Sequence, residues 1–297
     1  MISKQRRPSR GRFKWRIPRS SAPIVLGRYL GSVFILTAIC LSIYGVAWNF
    51  STRRYLRGFA DAIVPLDGSP QGKSEALLAW FRHEPPRRDD SGSLGLPRDP
   101  VSILQNAQLL NVCGSASNAF INLADSVGLK TRRLLLLDSS GRARHVVAEV
   151  QWGRKWVVVD PSRGLVFEDG LGQALSKEDL RDSRIFRDAI SRMPGYSPTY
   201  SFEHATHVRL ERVPLLGAAL RRFLNRLSPA WEEAFYWPSV LENPPSWPML
   251  ASIPFFLSGI LIRWIAYRYF GNRPGLQTMG FRERLMNTGR AFLYRPA

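Results

Sequence analysis

Cysteine is almost absent from this sequence. Cys40 and Cys113 are the only two in 297 residues. That count excludes a framework of disulfides. Neither cysteine has a second one at metal-ligand spacing, so no thiolate metal site is expected. Acidic residues are also scarce, with 23 Asp and Glu against 42 Lys and Arg, for a net charge of +19. A basic excess of this size is often the footprint of a nucleic-acid binder. Its distribution argues against that here. Residues 1–28 carry +9, residues 263–297 carry +6, and residues 29–262 carry only +4. The excess sits at the two ends, and no nucleic-acid partner is expected for the nearly balanced middle. There is no internal repeat. Hydrophobic residues make up 45% and charged residues 22%, ordinary for a folded chain with one or two cored domains.

What is present is one long uncharged run. Tyr29 to Phe50 reads YLGSVFILTAICLSIYGVAWNF, 22 residues without a charge. As a helix it would rise about 33 Å, enough to cross a bilayer core. Tyr29, Tyr44 and Trp48 stand near its ends, where amphipathic rings favour the interface. A cleaved signal sequence would have a shorter apolar run and small residues at a cleavage site. VAWNFST at 46–52 lacks that pattern, so a retained anchor is the reading. A second apolar stretch spans 243–262, NPPSWPMLASIPFFLSGILI. Pro248 and Pro254 weaken it as a helix, although a membrane environment can absorb the missing donors. It reads as a second span; the alternative is a segment lying on the membrane or packed on the domain.

The expected organisation is a basic cytoplasmic tail over 1–28, a transmembrane helix over 29–50, and an extracytoplasmic domain over 51–247 with its core at about 75–200. A second transmembrane helix over 248–267 and a basic cytoplasmic tail over 268–297 follow. The orientation comes from the positive-inside rule: both tails are strongly basic, while only Arg53, Arg54 and Arg57 follow the first span closely. The tails are expected to touch anionic membrane lipid. The stretches VPLDGSPQGKSE and HEPPRRDDSGSLGLPRDP read as loops, with a short helix over EALLAWFRH between them. LLGAALRRFLNRL, at 215–227, is amphipathic; it reads either as packed on the domain or as lying at the membrane surface.

The chemistry concentrates between Asn111 and Phe167. Ala116, Ala119, Phe120, Leu123, Ala124 and Val127 recur at helical spacing, and Gly128 ends the pattern. Cys113 then stands at a helix start, where unpaired N–H groups and the helix dipole favour a thiolate and can hold an oxyanion. Thr131–Leu137, His145–Val150 and Trp156–Asp160 read as strands. Gln151 to Arg154 reads as a tight connection with Val150 opposite Lys155. That register sets His145 opposite Asp160, within reach of an imidazole–carboxylate hydrogen bond. A helix packed across this sheet would bring the nucleophile to the base.

These blocks resemble the transglutaminase-like family. CGSASNAFINLADSVGLKTRRLLL resembles its cysteine–helix–strand block, and HVVAEVQWGRKWVVVDPS its His and Asp blocks, in the family's order. The resemblance covers about 55 residues. It implies an α+β, papain-like core, a Cys-bearing helix on an antiparallel sheet. It implies Cys113 as nucleophile, His145 as general acid/base and Asp160 as its orienter. Crosslinking acyltransferases, peptidases, amidases and inactive binding members all occur in the family. Substrates expected for a domain outside the membrane are a peptide, a protein or an envelope polymer. No cofactor is expected. Many members place an aromatic after the histidine, whereas this chain has Val146 and Val147.

Other residues carry weaker signals. Gln105 and Gln108 precede Cys113 as oxyanion-hole candidates, but read better as surface glutamines. Glu149 shares the His145 face by alternation and reads as a solvated strand residue, the alternative being a substrate contact. Arg132, Arg133, Arg142 and Arg144 read as a solvated face or as contacts for a substrate anion. Glu203, His204 and His207 form too weak a cluster for a metal site, and none is expected. Residues 168–200 offer no usable motif.

Overall fold

A computed structural model describes residues 22–65, 67–83, 98–208, 217–228, 231–234 and 243–270. Most of both basic tails and of the loop before Pro100 lies outside the described residues. The chain divides into two units, one of residues 1–42 with 250–297 and one of residues 43–249. The boundary falls inside the first and last helices.

The first helix, α1, runs from Ala22 to Asp61. The last, α10, runs from Ser246 to Phe270. Both are long and apolar enough to cross a membrane. In the smaller unit they approach closely at small residues. A Cβ on Gly27 would stand 2.5 Å from that of Ala266, and one on Gly259 2.8 Å from the Gly31 carbonyl oxygen. Only glycine permits such backbone proximity between apolar helices. The Phe34 and Phe255 rings meet at a tilt, with centroids 5.6 Å apart, and Ser42 meets Ser252 at 2.9 Å. Leu36, Ile39, Leu257 and Leu261 stay exposed. Pro254 lies inside α10, which continues through it. Pro248 costs less, since the first-turn N–H it lacks would have no helical partner.

The larger unit corrects two boundaries. The first helix does not end at residue 50, because α1 continues to Asp61. Charge at Arg53, Arg54 and Arg57 ends the apolar run, but arginine is a good helix former. Leu56 and Ala60, one turn apart, are buried in the domain core. Likewise PQGKSE is the start of α2, Pro70–His83, rather than loop. Pro70 occupies the first helical position, where its fixed φ suits a helix.

Short helices α3 (Pro100–Leu104) and α4 (Ala107–Leu110) lead into α5, Cys113–Ser126. Then come β1 (Thr131–Leu137), β2 (Ala143–Trp152), β3 (Lys155–Asp160) and β4 (Leu165–Val166). Helices α6 (Lys177–Leu180) and α7 (Ser183–Ser191) and strand β5 (Ala205–Thr206) follow. Helices α8 (Gly217–Leu227) and α9 (Trp231–Ala234) precede α10. The five strands form one antiparallel sheet in the order β4-β3-β2-β1-β5. Strand alternation divides the core in two. Ala148, Val150, Val157 and Val159 pack with Phe120 and Leu123 of α5. Leu134, Leu136, Val147 and Val158 pack with Phe167, Phe186 and Tyr196 on the other face.

The β2–β3 register differs from expectation by two residues. Trp152 pairs with Lys155 and Val150 with Val157. Gln151 and Trp152 therefore belong to β2, and the turn is Gly153-Arg154 alone, with Gly153 at φ 61°. A positive φ in a two-residue hairpin loop matches the twist of the strands. Continuing this register sets Asp160 beside Val147 rather than opposite His145. A two-residue shift keeps every side chain on its face, whereas one residue would have reversed them.

Candidate functional site

Helix α5 begins abruptly. Val112, its N-cap, is extended and offers no side-chain cap. Ser115 and Ala116 both donate to the Val112 carbonyl, so the first-turn N–H groups of Cys113 and Gly114 precede the helical ladder. Ser117 Oγ donates to the Val146 carbonyl at 3.1 Å, in a buried bond that fastens α5 to β2 beside His145. Cys113 is thereby held against the strand: its thiol is hydrogen-bonded to the His145 side chain and receives the Val146 backbone N–H.

His145 reaches Asp160 diagonally. Its Nε2–H donates to Oδ2 at 2.6 Å. Diagonal Cβ atoms lie about 7–8 Å apart, within reach of an imidazole ring. With Nε2 engaged, Nδ1 is left for the sulfur. Asp160 is fully buried and well supplied with donors. Tyr196 OH donates to Oδ2 at 3.1 Å, Ser162 Oγ to Oδ1 at 2.6 Å, and Arg163 N–H to Oδ1 at 3.3 Å. The carboxylate cannot rotate without breaking several of these bonds. Tyr200 lies flat on the imidazole, with centroids 4.4 Å apart and planes 3° from parallel.

Electrostatics follow the geometry. Burial pushes the His145 pKa down, but hydrogen bonds and charge from Asp160 and Cys113 outweigh it and raise it to about 9. Burial raises that of Cys113, but the His145 hydrogen bond and charge, with the Val146 N–H, bring it below the ordinary thiol value. The two shifts together favour a thiolate–imidazolium pair. Burial and the adjacent Asp160 charge push the Tyr196 phenol far up, so it remains a donor.

The structure thus brings together the three residues singled out from the sequence, Cys113, His145 and Asp160. Tyr196, Tyr200 and Ser162 had given no signal; they come from irregular segments without periodicity. Gln105 and Gln108 are exposed, as surface glutamines would be. Glu149 overturns its expected solvation. It is completely buried, accepts from Arg132 Nε at 2.7 Å and bonds His207 Nε2 at 2.7 Å. Arg132 is likewise only 13% exposed and lies 4.1 Å over the Trp156 ring. Arg142 and Arg144 are solvated and face Asp138. Arg133 sits on the α5 side, its guanidinium 3.3 Å from where a Cβ on Gly114 would be. No metal-binding cluster of His, Cys, Asp and Glu occurs among the described residues. A cleft of about 560 Å³, lined by Leu78, Arg82, Gly164 and Arg192, includes none of the three residues.

Fold and site together define a mixed helix and antiparallel-sheet protein with a Cys–His–Asp constellation, its histidine and aspartate buried and its cysteine partly exposed, and two helices suited to a membrane. No protein-family model, curated protein or solved structure matches the chain.

Proposed function

We propose that this chain is a membrane-anchored, transglutaminase-like protein with a papain-like core, performing thiol-dependent acyl transfer or amide hydrolysis. The observation that carries this reading is the hydrogen-bonded line from Cys113 through His145 to Asp160. The Cys113 thiolate attacks an amide or ester carbonyl. The N–H of Cys113 at the start of α5 faces the developing oxyanion. His145 protonates the leaving amine or alcohol, which departs as the thioester forms. His145 then takes a proton from water or an acceptor amine as that nucleophile attacks the thioester, and Cys113 is released. Asp160 holds the ring in orientation and offsets its positive charge. No cofactor is needed. With α1 and α10 as spans and the basic tails in the cytoplasm, the domain faces the envelope. Its substrate is a peptide, protein or envelope polymer there.

The test is an acyl trap. Incubating the full chain with an activated ester and digesting it should yield one acylated peptide containing Cys113. The acyl group should pass to added amine or water, and His145→Ala should slow both its formation and its transfer. Absence of acylation in the wild-type chain would instead mark a fold retained for binding a partner in the envelope.

A further inference from the structure

We propose that α8 is an interfacial helix whose outer face lies in the headgroup layer of an anionic bilayer. Its sequence, GAALRRFLNRL, has three arginines and no acidic residue. One side of the helix holds it to its own unit. Leu224 packs against Val208 and Trp231, Asn225 Oδ1 accepts from Trp231 Nε1 at 2.7 Å, and Arg221 pairs with Glu232 at 3.2 Å. Leu224 is the inner edge of an apolar stripe, and the rest of that stripe is exposed. Leu220, Phe223 and Leu227 are 38%, 57% and 67% exposed and follow one another at i, i+3 and i+7, in a single row. Ala219 extends that face, and the exposed Arg222 and Arg226 lie along one edge of it.

An ordinary surface helix turns its apolar stripe inward. α7, strongly amphipathic too, turns Phe186 and Ala189 inward and its arginines outward. α8 instead covers only Leu224 of its apolar stripe and leaves Leu220, Phe223 and Leu227 exposed. An outward apolar row beside arginines suits a bilayer interface, with apolar groups about 5–10 Å into the headgroup–acyl boundary and basic side chains reaching the phosphates. Two features favour lipid over a protein cover. The same chain carries two helices long and apolar enough to cross a membrane, so a bilayer is at hand. Among the described residues, the charge bordering the exposed row is of one sign, complementary to anionic headgroups. A second copy of α8 laid on it would set arginine against arginine.

The test uses the full chain with Cys40→Ser and Cys113→Ala, reconstituted in phosphatidylcholine vesicles with and without phosphatidylglycerol. Nitroxide labels go on Phe223→Cys, on Leu227→Cys, and on Leu171→Cys, a loop position that is 84% exposed. With phosphatidylglycerol, labels at 223 and 227 should be open to oxygen but shielded from a water-soluble nickel chelate, while the label at 171 stays open to nickel. Arg222→Gln with Arg226→Gln should reduce that shielding. If a label at 223 disturbs the fold, Ala219→Cys reports the same face from a small exposed residue. Nickel access at 223 and 227 equal to that at 171 would overturn the proposal. So would shielding from both reagents, which marks protein cover, or equal shielding without phosphatidylglycerol.

Discussion

The sheet carries two buried histidine–carboxylate pairs, and they are built for different ends. His145 meets Asp160 at 2.6 Å and His207 meets Glu149 at 2.7 Å, with both carboxylates fully buried. The difference lies in what else is touched. Glu149 also holds Arg132, a permanent cation that satisfies the carboxylate. That trio ties β1 and β2 to the segment following β5. Among the described residues Asp160 takes only neutral donors besides His145, from Tyr196, Ser162 and the backbone at Arg163. Its histidine turns toward a thiol at a helix start. The same pair is a staple where the third partner is arginine; where it is cysteine, the proposed function makes it a proton carrier.

The largest effect expected at one pair and not the other is on turnover. Cys113→Ala should lower hydrolysis of an activated ester at least on the order of 10³-fold. His207→Ala, assayed under conditions where it remains folded, should leave that rate nearly unchanged. A comparable loss in both would erase the distinction drawn above.

Stability should show the opposite asymmetry. Glu149→Ala leaves Arg132 buried without its carboxylate and should cost about 3–5 kcal/mol in urea denaturation. The pH dependence has a sign. Burial opposes ionisation of Glu149, but His207 and Arg132 hold its pKa below the usual carboxylate range. Its contribution is therefore present above the unfolded carboxylate value and lost as pH falls through the lowered one. His145 behaves in reverse: its pKa is raised to about 9, so its contribution is full below the ordinary imidazole value and gone once pH has risen through about 9. Wild-type denaturation curves across pH should lose stability at both ends. Glu149→Gln should flatten the acid side and His145→Gln the alkaline side.

Thiol reactivity gives a smaller effect. In His145→Ala, Cys113 should revert toward an ordinary thiol, and its alkylation rate near neutral pH should fall by about 30-fold. The pH–rate curve should move to the alkaline side. The smallest effect concerns the stacked ring. Tyr200→Leu removes an aromatic contact worth about 0.5–1.5 kcal/mol. Turnover should fall several-fold, with the alkaline limb of the pH–rate profile shifted toward neutrality. An unshifted profile would make Tyr200 a cover rather than a support for the imidazolium.

Several particulars of this architecture were readable locally. Thr131–Leu137 is observed as read, because a run of threonine, arginines and leucines closed by Asp-Ser-Ser-Gly leaves few other options. Cys113 at the start of α5 follows from small and apolar residues at helical spacing, with Gly128 at φ 80° past the end. The register was less secure. Valines at 146, 147, 150, 157, 158 and 159 fit several alignments, and only the Gly153 turn chooses between them. Glu149 and Arg132 looked solvated because their partner, His207, lies 58 residues away from Glu149 in sequence. Tyr196 and Tyr200 sit in a segment whose sequence has no period to read.

By itself, then, the amino-acid order determined which segments are helix and strand around Cys113, which face of β2 His145 and Glu149 share, and which two stretches are apolar enough for a bilayer. Those properties depend on neighbours within a few residues, through alternation, helical spacing and uncharged length. Tertiary structure alone decided that imidazole Nδ1 is left to the sulfur, that tyrosines brace the pair, and that Glu149 is a buried junction. Each of these requires side chains from separate elements to meet within hydrogen-bond distance. Chain folding, not local pattern, sets that distance.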